Sequence, residues 1–236
     1  MNYFTIIEKS EEYVKAYMHQ HKDLTLYYHN LIHTEKVVEA AKQIAFHYKL
    51  RDKDIFITVI ACWFHDIGHF ETIVNHEQAG ALKAEAFLKS YDIDEETINA
   101  VKKCILVTRL PQAPCNLLEQ IICDADLFHL GTEDFMKQSK LVKKEIEAVL
   151  NLQINETEWW NTTIRFIESH HYHTNYCKNL LNNKKTQNLE KLKKKVEEHC
   201  INHCKNFICE TSGRKKQQLD ETYCNNDEEN KLLFIK

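Results

Sequence analysis

The sequence predicts an all-α fold. Four glycines and two prolines in 236 residues leave little material for turns. Apolar residues recur at helical spacing through most of the chain, and a hydrophobic content of 43% is enough for a core. The length fits one domain of ordinary size plus an appendage.

Taken in order, residues 2–20 read as a helix, with Tyr3, Ile6, Ile7, Tyr13, Val14 and Tyr17 on one face. The next helix spans residues 31–50 and turns Val37, Val38, Ala41, Ile44 and Ala45 inward. Asp52 or Asp54 is expected to cap a third helix, whose apolar run occupies residues 55–64. Residues 76–91 form a fourth, and Asp94 with Glu95 and Glu96 opens a fifth over residues 95–108, where acidic side chains suit the helix dipole. Pro111 and Pro114 mark the clearest loop. Asn116 then caps a helix over residues 117–130, and Gly131 stands where a C-terminal glycine belongs. Helices over residues 132–150 and 156–172 follow, and the run His170-His171-Tyr172-His173 reads as a helix end, because consecutive residues on a helix diverge.

Composition changes near residue 184. Residues 1–183 are expected to form the main domain, and residues 184–236 a lysine-rich helix with a polar, disordered tail. His199, Cys200, His203, Cys204 and Cys209 have zinc-like spacing, but no second ligand pair of standard spacing accompanies them.

The chemistry gathers where the third helix ends. The apolar run stops at Phe64-His65-Asp66-Ile67-Gly68-His69, so a buried helix delivers an imidazole and a carboxylate at its last turn. Burying both is costly unless something compensates them, and a divalent metal is the simplest candidate. Adjacent residues on a helix point about 100° apart, so further ligands must converge from elsewhere. Tyr28-His29-Asn30-Leu31-Ile32-His33-Thr34 places His33 on the first turn of the second helix, and Cys123-Asp124-Ala125-Asp126-Leu127 embeds carboxylates in an apolar helix.

The order His33, His65-Asp66, Asp126 resembles the HD superfamily of metal-dependent phosphohydrolases over residues 10–150. With Asn75-His76-Glu77 and the segment from Cys123 to Gly131, it is similar to a bacterial subgroup of which some members carry a C-terminal membrane domain. The resemblance implies an HD-domain helical bundle with the metal at its centre, held by His33, His65, Asp66 and Asp126. Such a mixed N2O2 set suits one divalent ion among Mn, Fe, Mg, Co, Ni and Zn, with Mn or Fe favoured. A single ion is expected because residues 77–128 contain no histidine, which also disfavours the two-iron oxygenases of the same fold.

His69, three residues past Asp66, is the expected general acid or base, and Asp66 serves both metal and catalysis. His29, Asn30, His76, Arg109 and Lys143 are candidate substrate contacts, with Arg109 the best placed cation and Lys140 and Lys144 as alternatives to Lys143. Asp124 points away from Asp126 and is expected to be structural, whereas His129 shares its face.

The implied activity is hydrolysis of a nucleotide or related small phosphoester. The competing class is a nucleotide-binding signalling module that keeps the ligands with little turnover. The subclass triplet Gly-Tyr-Pro of cyclic-dinucleotide enzymes is absent. A net charge of −4 gives no reason to expect general nucleic-acid binding. No apolar run is long enough to cross a bilayer, no N-terminal signal is visible, and Cys62, Cys104 and Cys123 fall in apolar helical patterns; together these point to a soluble cytoplasmic protein.

Overall fold

The computed structural model of the chain describes residues 2–22 and 25–211, with side chains as far as residue 201. All regular elements among them are helical: α1 (Tyr3–Gln20), α2 (Leu31–His47), α3 (Asp52–Phe64), α4 (His76–Lys89), α5 (Glu95–Leu106), α6 (Leu117–Asp126), α7 (Phe135–Leu150), α8 (Glu156–Ser169) and α9 (Asn175–Thr211). Two 3-10 turns, Ile67–Phe70 and Phe128–Gly131, follow α3 and α6.

The caps explain where several helices begin. Asn30, Asp94 and Asn116 each accept hydrogen bonds from main-chain N–H groups of the first turn that follows. At α3 the cap position falls to Arg51, which makes no side-chain cap. Asp52 and Asp54 lie inside the first turn instead, where their charge still meets the positive end of the helix.

Helix α3 is the axis of the fold. Every residue from Phe56 to Phe64 is buried, so the helix is covered on all faces by α1, α2, α4, α5 and α6. Val14, Ile44, Phe56, Ile60, Ile98, Ile105 and Ile122 meet around it in one cluster. Cys62 and Cys104 are buried in that cluster, and Cys123 is buried on α6.

A second cluster joins the C-terminal helices. Leu127, Leu130, Phe135, Ile167 and Leu192 pack together, so α9 runs through residue 184 without a break and remains part of the packing to Leu192. Asn188 donates to the carbonyls of Leu130 and Thr132 at 3.0 and 2.8 Å. Gly131 is not a left-handed helix cap, since no described glycine has positive φ. A Cβ there would come within 2.5 Å of the Leu181 Cβ, so glycine lets α9 approach the turn. Asp124 has the structural part expected of it, accepting from the His173 and Thr174 N–H groups and the Thr174 hydroxyl at 2.6–2.8 Å. His170 follows the last residue of α8 in extended conformation. Residues 212–236, with most of the expected tail, lie outside the described residues, as do the side chains of His203, Cys204 and Cys209.

A truncation pair tests this packing. Ending the chain after residue 183 removes Leu192, whose burial is worth about 1.5–3 kcal/mol, together with the Asn188 hydrogen bonds, and should lower the melting temperature or abolish soluble expression. Ending it after residue 198 should leave the thermal melt unchanged. Equal melts for the two truncations would mean that α9 contributes nothing to stability beyond residue 183.

Candidate metal centre

Two helix ends, those of α3 and α6, and one helix start, that of α2, converge at one place. The Asn30 side chain accepts from the N–H groups of Ile32 and His33 at 3.0 and 3.3 Å, and its amide donates to the Tyr27 carbonyl. Expected as a substrate contact, Asn30 instead spends both ends of its side chain on starting α2, and so places His33 on the first turn. His65 and Asp66 leave the end of α3, and Asp126 is the last residue of α6.

All four side chains are buried. His33 Nε2 lies 3.2 Å from Asp66 Oδ2 and 3.4 Å from Asp126 Oδ1. His65 Nε2 lies 3.0 and 3.8 Å from the same two oxygens. Ligands bound to one ion at 2.0–2.1 Å stand roughly 3.0–3.4 Å apart; three of these separations fall in that range, and His65 to Asp126 is wider. His33 Nε2, His65 Nε2 and Asp66 Oδ2 make no hydrogen bond although each is shut off from solvent. Polar atoms buried in that way are costly, and a cation among them removes the cost.

The tautomer of His65 also fits. Its Nδ1 is 2.8 Å from the Cys62 carbonyl, which can only accept, so the proton resides on Nδ1 and Nε2 offers its lone pair to the cluster. Burial alone would raise Asp66, but the imidazoles of His65, His33 and His29 outweigh it and hold the carboxyl well below its usual range. The residues therefore fit a divalent ion, as the sequence anticipates.

The other oxygen of Asp66 faces a second group. His76 Nε2 is 3.8 Å from Asp66 Oδ1 and 3.5 Å from Glu77 Oε1. Asp66, His69 and His76 each present a ligand atom within 4.8 Å of the other two. The search for extra histidines among residues 77–128 passes over this group, because it comes from the turn just before them. Gly68 makes it possible: a Cβ there would lie 2.0 Å from the His76 carbonyl oxygen, so only glycine allows the Ile67–Phe70 turn to rest on the start of α4.

His69 is sandwiched. Its ring stacks on His76 with centroids 3.6 Å apart and on His29 at 4.1 Å. Burial first, and the neighbouring His29 next, push its pKa well below the ordinary histidine value. His76 is lowered too, by burial and in part against the pull of Asp66.

Sequence reasoning missed Glu145. This buried residue of α7 accepts the N–H groups of Tyr28 and His29 at 2.6 and 3.0 Å and pairs with His29 Nδ1. Burial opposes its ionisation, yet the His29 charge and these hydrogen bonds keep it below the usual glutamate range. The pairing fixes the ring of His29, whose Nε2 is buried without a hydrogen bond. The only sequence signal was an acid at position 145 beside Ile146, on a helix otherwise rich in surface lysines.

The expected cations are differently engaged. Arg109 reaches Glu77 at 3.3–3.4 Å and is half exposed, so it joins the cluster through Glu77. Lys143 is committed to Glu147 at 2.6 Å, and Lys144 stacks over the Tyr27 ring. His129 is half-buried, 3.3 Å from the Tyr28 hydroxyl, and desolvation with His33 nearby pushes it down to about 3.

Among protein families, the HD domain model matches residues 30–131, from the cap of α2 to the turn after α6. No curated protein and no solved structure gives a match.

Proposed function

Residues 30–131 are an HD domain, and on that premise we propose that the chain is a metal-dependent phosphohydrolase acting on a nucleotide or related small phosphoester. The observation that supports it best is the convergence of His33, His65, Asp66 and Asp126, with three of their facing atoms buried and making no hydrogen bond. These four residues would hold the ion. A bound divalent ion lowers the pKa of a water and offsets charge on the phosphoryl group. Asp66 faces both imidazoles from one side, and the Cys62 carbonyl keeps the proton of His65 away from the ligand face. His69, stacked between His29 and His76 and close to Asp66, is the imidazole placed to exchange a proton there. His29, fixed by Glu145, and Arg109, through Glu77, border the same space and would contact substrate.

Phosphate release from phosphomonoesters, cyclic nucleotides and nucleoside triphosphates with Mn²⁺ tests the reading. Release with at least one class is expected, dependent on the metal. Tight binding of a nucleotide without release would favour the signalling module instead, and oxygen consumption would overturn both. Among the described residues, no helix is long and apolar enough to cross a membrane.

A further inference from the structure

A cavity of about 100 Å³ adjoins the ligand cluster on the side of α7 and α8. Its walls are apolar, built from Leu127, Leu130, Phe135, Ile146, Trp159 and Phe166. All but Leu127 and Leu130 come from beyond the HD domain match. Its inner end is made by Tyr28, His29 and His129. The Tyr28 ring packs on His33 at 4.5 Å, that of His29 stacks on His69 at 4.1 Å, and Leu127 directly follows Asp126, so the cavity ends at residues packed against the ligand cluster.

Most polar groups in the lining already have partners within the protein. Trp159 Nε1–H donates to Ser139 Oγ at 3.0 Å, the Thr163 hydroxyl donates to the Trp159 carbonyl at 2.8 Å, and Thr162 Oγ1 accepts from Arg165. Tyr28 and His129 share a contact at 3.3 Å. His29 Nε2, at the end nearest the metal ligands, is buried and makes no hydrogen bond. A nucleobase brought into such a chamber would leave several ring and exocyclic polar atoms without partners, which is costly. Size agrees with this: a dry protein cavity of about 150 Å³ takes up one benzene, so 100 Å³ matches about four carbon atoms.

Resting on the phosphohydrolase reading, we propose that this cavity receives the organic part of the phosphoester and selects a short apolar group over a nucleoside. The phosphate would lie at the metal ligands, the ester oxygen near His29, and the hydrocarbon between α7 and α8.

The test uses the Mn²⁺-loaded full chain and the series methyl, ethyl, n-propyl, n-butyl and n-octyl phosphate, with AMP as the nucleotide. Binding is read from tryptophan fluorescence, since Trp159 lines the cavity, and phosphate release is measured separately. Affinity should rise roughly fourfold per methylene, or about 60-fold from methyl to butyl, and stop rising before octyl. AMP should bind more weakly than butyl phosphate. Val142→Phe, which fills the cavity from α7, should compress the 60-fold span to below about fivefold. Thr162→Leu, from α8, gives the same reading if the first variant does not fold. A flat series, a gradient that survives both variants, or tighter binding of AMP overturns the subsite whether or not phosphate is released. A rising series without any release upholds the apolar preference and overturns the hydrolytic reading instead.

Discussion

Asp66→Ala is expected to abolish tight metal binding and, with it, phosphate release. One oxygen of Asp66 faces both His33 and His65, at 3.2 and 3.0 Å, nearer to each than Asp126 comes, so the substitution removes the carboxylate nearest both imidazoles. Outer partners of a metal site cost about 10–100-fold in affinity when removed, and a direct ligand should exceed that range. The loss is measurable without substrate. Mn²⁺ at about 100 times its dissociation constant should stabilise the intact protein by roughly 2.7 kcal/mol, a clear rise in melting temperature. In the variant the melt should not respond to Mn²⁺. An unchanged metal response in Asp66→Ala would remove this carboxylate from the site.

His69→Ala should act differently. The imidazole lies against His29 and His76, so the variant loses the middle of a stack but none of His33, His65 and Asp126. If His69 transfers a proton, turnover falls by about 10²–10⁴-fold while the metal-dependent melt persists. Substrate affinity should change less than rate, because the proton is shared mainly in the transition state. Burial holds its pKa well below the ordinary value, which keeps His69 neutral at pH 7 and opposes protonation, so the Asp66 carboxylate beside it is what would support a proton taken up there. Unchanged turnover would reduce it to packing, and loss of a second equivalent of metal would make the Asp66, His69 and His76 group a binding site in its own right.

The four candidate ligands stand out in the sequence because their residue types interrupt apolar helices. An imidazole and carboxylate at the end of α3, and an aspartate inside α6, stand out against the hydrophobic pattern that surrounds them. The helices followed from spacing and caps. What escaped depends on approach between distant segments. Glu145 meets His29 across 116 positions, and no local pattern connects them. The stacked histidines require the Gly68 contact, and the turn around it gives no sign of which helix will rest there. Lysines along α9 obscured its packed face, although Leu181, Asn188 and Leu192 recur at helical spacing and are all buried. Asn30 was judged by its place near His33, when its side chain is used by the cap that holds His33 in position.

The most direct test is a crystal structure of the Mn²⁺-loaded protein with anomalous scattering. The account predicts a peak within about 2.0–2.3 Å of His33 Nε2, His65 Nε2 and one oxygen each from Asp66 and Asp126. No peak at millimolar Mn²⁺, or an ion bound away from these four side chains, would contradict it.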